Sequence, residues 1–120
     1  MKTSDLMIGD WVKVYRHEDP VQVVLVDMDH IITSDEEEPV YDIDFEPIPI
    51  TETLLDAYCS LCDVLAWWTH DNDNGEPDGF EIECPYESYY HVVDNIHYVH
   101  ELQHILRLCG FTEEANKLKP

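Results

Sequence analysis

The feature that most constrains this chain is the distribution of its charges. The 120 residues include 27 acidic and 6 basic side chains, for a formal net charge of -21. No Lys or Arg occurs from residue 17 to residue 106, whereas all acidic residues except Asp5, Asp10, Glu113 and Glu114 lie within that stretch. Lys–carboxylate or Arg–carboxylate pairs therefore cannot form within the middle of the chain, and its carboxylates repel one another.

The composition is nevertheless that of a folded protein. Hydrophobic residues make up 44% of the chain and aromatic residues 11%, which is enough for a core and unlike a disordered acidic tail. A chain of this length fits one domain. We therefore expect a single domain over 1–120, made of a small β-sheet part (1–46), a second part (51–110) and a tail (111–120).

The same composition indicates location and partners. The first residues lack the apolar segment of a secretory signal, and the longest apolar runs, 23–26 and 64–68, are too short to span a bilayer. We expect a cytoplasmic protein without membrane association. The scarcity of Lys and Arg disfavours direct binding to nucleic acid. A basic protein surface or divalent cations are the partners that the charge favours, and a role in solubility alone is the alternative.

The first half of the chain has the pattern of short strands. Alternating or β-branched residues predict strands at 10–15, 21–26, 30–33 and 40–45, with a loop at 34–39. Four short strands with tight turns indicate an SH3-like curled antiparallel sheet. Pro47 and Pro49 then predict an extended connector.

The second half predicts a helix, a three-stranded β-meander and a C-terminal helix. The first helix follows Thr51 or Thr53, and the last one covers residues 96–109 between an Asn95 N-cap and Gly110. The fold class is therefore α+β. The predicted core residues are Trp11, Val23, Leu25, Leu55, Tyr58, Leu102 and Leu106.

The cysteine pattern offers a possible redox or zinc motif. Cys59 and Cys62 form a Cys-x-x-Cys, but they fall inside a helical pattern, and Cys84 and Cys109 are too far apart for a second close pair. We expect these thiols to have a packing role.

The C-terminal helix carries the string His100-Glu101-Leu102-Gln103-His104, which matches the His-Glu-x-x-His signature of zinc hydrolases. Two histidines one turn apart can share a zinc ion, and the glutamate can polarise a water bound to it. A zinc-dependent hydrolase that uses His100, Glu101 and His104 is therefore one hypothesis.

Two observations favour a non-catalytic interpretation of this string. On a helical wheel, His97, His100, Glu101 and His104 lie opposite the apolar stripe, which predicts a solvated polar face. The third ligand of the metzincin pattern would fall on Gly110, which has no side chain. We therefore expect no cofactor and no catalytic residue, and keep the hydrolase as the alternative.

Acidic residues also recur two apart in three places: Asp27 with Asp29, the Asp42–Asp44–Glu46 series, and Glu81 with Glu83. On a strand this spacing places carboxylates on one face, about 6.7 Å apart. Such rows could imitate the phosphates of a nucleic acid. They are equally typical of the solvated side of any acidic sheet, which is the simpler interpretation; a binding module that acts as a decoy for a basic surface is the specific hypothesis they allow.

Three segments resemble an uncharacterised family of small proteins from gut Bacteroidota, often found near prophages and mobile elements. They are residues 6–12 (LMIGDWV), 45–51 (FEPIPIT) and 98–103 (YVHELQ). The family pattern favours Gln at position 101 and Asn at position 104. The resemblance therefore implies that the zinc-hydrolase string is not a family catalytic site, and that a phage or host-interaction role is to be expected. The family has no established activity.

The charge distribution yields a first prediction. Added salt screens repulsion between like charges, so the melting temperature should rise between low and moderate ionic strength, measured by circular dichroism in sodium chloride. A melting temperature that stays flat or falls would contradict it.

Overall fold

A computed structural model describes residues 1–61, 66–86, 89–117 and 119–120. Within these residues the fold is α+β, as predicted, with two antiparallel sheets and three α-helices. The chain divides into two compact units, Met1–Ile48 with Lys119–Pro120, and Pro49–Leu118. The division falls at the proline-containing connector, and each unit is described by itself.

The first unit is a five-stranded antiparallel sheet. Its strands are β1 (Trp11–Val14), β2 (Val21–Val26), β3 (His30–Thr33), β4 (Glu36–Tyr41) and β5 (Phe45–Glu46). They lie in the order β4-β3-β2-β1-β5, and β1 pairs with both β2 and β5. This arrangement is compatible with the predicted SH3-like curl.

One face of this sheet forms the core of the first unit. Alternate residues point inward, as expected for strands with one buried face. The buried cluster consists of Leu6, Val12, Val14, Val21, Val23, Ile31, Val40 and Phe45. The prediction for Val23 is thus confirmed.

The core prediction is wrong for two residues of the first unit. Leu25 is 45% exposed, because a bulge between Val23 and Leu25 breaks the alternation and pairs Leu25 with Ile32 on the outer face. Trp11 is only half-buried, because the neighbouring Val12 takes the inward position. Strand alternation alone does not reveal such a bulge.

The predicted loop at 34–39 is also wrong. Only Ser34 and Asp35 form the turn, and β4 starts at Glu36. This strand lies at the sheet edge, where an acidic sequence and Pro39 are tolerated because one side needs no partner. The predicted strand at 40–45 is interrupted by a 3-10 turn at Asp42–Asp44.

The second unit contains α1 (Glu52–Leu61), the meander β6 (Ala66–Asp71), β7 (Pro77–Tyr86) and β8 (Tyr89–Ile96), then α2 (Val99–Leu108) and α3 (Thr112–Lys117). The helix α3 occupies the region predicted as a tail. No helix in the described part of the chain is long and apolar enough to cross a membrane.

The core of the second unit comes mainly from the helices and the middle of the meander. Its buried apolar side chains are Ile50, Leu54, Leu55, Tyr58, Ile82, Ile96, Val99, Leu102, Ile105, Leu106 and Ala115. The predictions for Leu55, Tyr58, Leu102 and Leu106 are confirmed.

The start of α2 differs from the prediction, and its end agrees. Asn95 belongs to β8, with a φ of 62°, and Ile96 pairs with Phe80 of β7, so the helix begins three residues later. Gly110 has a φ of 92° and donates its N–H to the Arg107 carbonyl at 3.1 Å. This left-handed glycine terminates the helix as predicted.

The packing of α2 yields a second prediction. Leu102→Ala should lower the free energy of unfolding by about 2–5 kcal/mol, because it leaves a cavity in the core. Leu108→Ala on the same helix is the matched control, since Leu108 is 70% exposed, and should change it by less than about 0.5 kcal/mol. Urea denaturation measures both; equal effects would contradict the orientation of α2.

Candidate functional site

The His-Glu-x-x-His string occupies the first two turns of α2. His100 and His104 are one turn apart, and their ring centroids lie 5.7 Å from each other at 76°. The structure therefore brings the two predicted zinc ligands together on one helix, as the spacing requires.

Glu101 has a structural task at this position. Its Oε1 accepts the backbone N–H of Tyr98 at 3.0 Å and that of His97 at 3.2 Å. Tyr98 is the N-cap of α2 and Glu101 is its third residue, the position from which an acidic side chain caps a helix. The same carboxylate would have to polarise water in a zinc hydrolase. Here it satisfies backbone donors at the helix start.

The predicted solvated face is wrong for His100. Its side chain is buried, with 7% exposure, and its ring stacks on Tyr98 with centroids 6.0 Å apart and planes at 12°. His104 is half-buried. The prediction fails because the apolar stripe is not the whole buried surface of α2, which also includes His100 and Gln103.

A further helix, α3, packs against α2 through residues outside the predicted apolar stripe. Gln103 is completely buried, and its amide nitrogen donates to the Ala115 carbonyl oxygen of α3 at 2.8 Å. Nearby, Arg107 donates from Nε and Nη2 to Asn116 Oδ1 at 3.1 and 2.8 Å. The sequence contains a signal for α3. The segment Thr112–Lys117 has acidic residues in its first turn and a lysine in its last, as a helix favours.

His97 does not join the other two histidines on the helix. It precedes α2, and its Nε2 lies 2.8 Å from Asn95 Oδ1 and 3.4 Å from Asp78 Oδ1. The predicted face of three histidines is therefore wrong. The prediction fails because α2 starts later than predicted, so that His97 lies between β8 and α2.

No group of three or more His, Cys, Asp or Glu side chains able to hold a metal ion occurs among the described residues. Gly110, at the metzincin third-ligand position, lies in the turn after α2. Within this part of the chain, His100 and His104 lack the third protein ligand that catalytic zinc requires.

The two cysteines whose side chains the structure describes are consistent with a packing role. Cys59 on α1 and Cys109 after α2 are free thiols and half-buried. Burial raises the pKa of the Cys59 thiol, and the charge of Asp56 raises it further. This is the opposite of the lowered pKa that makes a thiol a nucleophile or a metal ligand. Cys62 lies outside the described residues.

The acidic rows are only partly placed on strands. Glu81 and Glu83 lie on β7. Asp27 and Asp29 lie in the turn between β2 and β3, and Asp42 and Asp44 in a 3-10 turn. A regular ladder of carboxylates along one strand therefore does not form at those two places, and the turns present their carboxylates in clusters.

Comparison of the chain with protein-family models, with curated proteins and with solved structures finds no match. The interpretation of the site therefore depends on its own geometry.

The capping role of Glu101 yields a third prediction. Glu101→Ala should destabilise the protein by about 0.5–2 kcal/mol, because two backbone N–H groups lose their acceptor. Glu101→Gln should cost less, since the amide oxygen can accept the same bonds. Urea denaturation measures both.

The control for this prediction is Glu76→Ala, in the loop between β6 and β7, where the side chain is exposed. It removes one negative charge without removing a cap. If Glu101→Ala and Glu76→Ala change the free energy of unfolding equally, Glu101 does not cap α2.

Proposed function

We propose that this protein is a non-catalytic acidic binding module that docks on a basic surface of a partner protein, as a decoy for the ligand of that surface. The observation that carries the proposal is the absence of Lys and Arg from residues 17–106, together with the exposure of carboxylates in both units. The exposed ones in this stretch include Glu18, Asp19, Asp27, Asp29, Asp35, Glu38, Asp42, Glu52, Asp56, Asp71, Asp73 and Glu76.

Exposed carboxylates in a stretch without Lys or Arg suit such a role for two physical reasons. Their combined field attracts a basic surface from a distance and accelerates encounter. Binding then replaces repulsion inside the module with attraction across the interface, so cations of the partner supply the pairs that the chain itself lacks. A basic nucleic-acid-binding site is the kind of surface this charge fits best.

The alternative is a zinc-dependent hydrolase built on His100, Glu101 and His104. The hydrogen bonds of Glu101 to the backbone support the binding module over this alternative, since the proposed general base is already engaged. The resemblance to small Bacteroidota proteins near prophages and mobile elements supports a phage-related or host-interaction setting.

A competition assay tests the proposed function. A basic DNA-binding protein is loaded with fluorescent duplex DNA, and the acidic protein is added at increasing concentration. We expect release of the DNA, weakening as salt is added, because the interaction is between opposite charges. A variant with Asp71, Asp73 and Glu76 changed to Asn, Asn and Gln should compete less well.

Two outcomes would contradict the proposal. One is DNA that stays bound at every concentration of the acidic protein. The other is one equivalent of zinc that survives dialysis, with a peptide-hydrolysing activity that Glu101→Gln abolishes while the metal stays bound.

A further inference from the structure

Two apolar side chains of the first unit are almost fully exposed, and each stands between two aspartates. Met28 is 94% exposed within Asp27-Met28-Asp29, and Ile43 is 82% exposed within the 3-10 turn Asp42–Asp44. Solvent exposure of large apolar side chains gives no stability to the fold. Where such side chains lie together in one exposed patch, the patch marks an interaction surface.

Strand register places these two turns side by side. His30, the first residue of β3, pairs with Tyr41, the last residue of β4. The residue before His30 and the residue after Tyr41 are therefore neighbours at the same end of the antiparallel sheet. We call this surface, residues 27–29 and 42–44, the acidic end of the first sheet.

The acidic end is held in place by hydrogen bonds. The hydroxyl of Thr3 donates to the Met28 carbonyl oxygen at 3.0 Å, and the Met28 N–H donates to Asp27 Oδ1 at 2.7 Å. In the second turn, the Asp44 carbonyl oxygen accepts the Tyr15 N–H at 3.0 Å. The exposed side chains are thus presented from fixed backbone, which lowers the entropy lost on binding.

Apolar surface continues from the acidic end onto the outer face of the sheet. Tyr41 is 47% exposed, and its ring lies 5.9 Å from that of His30. Leu25, opposite Ile32 on the same face, is also exposed. An apolar area with carboxylates at its border has the composition of a protein-binding site, with an apolar centre and a polar rim.

Charge decides which occupant fits this surface. A second copy would bring the carboxylates of two chains together, each with a net charge of -21, and an anionic membrane would repel them in the same way. A segment that carries both apolar and cationic side chains complements both features of the acidic end. Asp29 already contacts His30, with 2.8 Å between Oδ1 and Nδ1, which shows that this carboxylate accepts a nearby nitrogen donor.

We propose that the acidic end binds an amphipathic basic segment of the partner, with its apolar side chains packed on Met28 and Ile43. Its Lys or Arg side chains pair with Asp27, Asp29 and Asp42. This inference rests on the proposed function and adds to it a specific surface and the chemistry of the segment that the surface takes.

Two synthetic peptides of equal charge test the inference. One is an amphipathic helix of Leu and Lys, and the other has every Leu replaced by Ser. Isothermal titration calorimetry should give tighter binding to the Leu-containing peptide, by about tenfold or more, because apolar anchors at the centre of an interface dominate its affinity. The double variant Met28→Ser with Ile43→Ser should remove that advantage.

The matched control is Val92→Ser with Leu108→Ser, which removes two exposed apolar side chains of the second unit. It should leave both affinities within about twofold of those of the original protein. A second pair of variants tests the charges. The double variant Asp29→Asn with Asp42→Asn should weaken the binding of both peptides more than Asp71→Asn with Asp73→Asn does. Circular dichroism melting verifies that every variant is folded.

The possible failures are distinguishable. If both peptides bind and Met28→Ser with Ile43→Ser changes neither affinity, the acidic end is not the docking surface, and the proposed function stands on charge alone. If neither peptide binds, the proposed preference for a basic partner is wrong, and the inference falls with it.

Discussion

Repulsion among the carboxylates of residues 17–106, a stretch that contains no Lys or Arg, is the constraint on which the rest of this structure depends. Because the chain cannot offset this repulsion locally with Lys or Arg over residues 17–106, stability has to come from apolar burial. Each unit accordingly has its own group of fully buried aliphatic side chains. The carboxylates are mainly displaced to turns, edge strands and helix starts, where water or a backbone donor can solvate them.

Several carboxylates in this fold accept hydrogen bonds from backbone N–H groups. Asp5, Asp10, Asp27 and Glu101 each accept a backbone N–H of a residue one to four positions earlier or later in the chain. Asp10 is completely buried, and its Oδ2 accepts the Met7 N–H at 2.8 Å. These bonds stabilise turns and a helix end, so negative charge contributes to local structure despite its long-range cost.

The sequence predicts the fold class well because the apolar patterns are strong. Val23, Leu55, Tyr58, Leu102 and Leu106 were identified from periodicity alone and are buried. The failures have causes that periodicity does not contain, because they depend on which strand lies at an edge, where a bulge forms and which neighbour a residue pairs with.

Three cases illustrate this limit. The bulge before Leu25 turns it outward, and pairing of Ile96 with Phe80 delays the start of α2. The position of β4 at the edge permits an acidic strand where turn residues predict a loop. Each is a tertiary effect that overrides a local preference.

The delayed start of α2 also determines what Glu101 contacts within the zinc-hydrolase string. A glutamate in the middle of a helix is free to face a metal-bound water. The same glutamate three residues after an N-cap lies within reach of the backbone donors that every helix start leaves unsatisfied. The start at Val99 places Glu101 in the second situation. The chemistry of the motif therefore depends on a boundary that its spacing does not encode.

Charge and apolar exposure have different consequences for the proposed binding. A surface that used charge alone would associate quickly with any basic protein and would discriminate poorly, since Coulomb attraction is long-ranged and weakly directional. The exposed side chains of Met28 and Ile43 add short-range contacts that require a complementary apolar surface. In the complex proposed here, carboxylates of the acidic end would govern the rate of encounter, and the two apolar side chains between them would govern which basic partner remains bound.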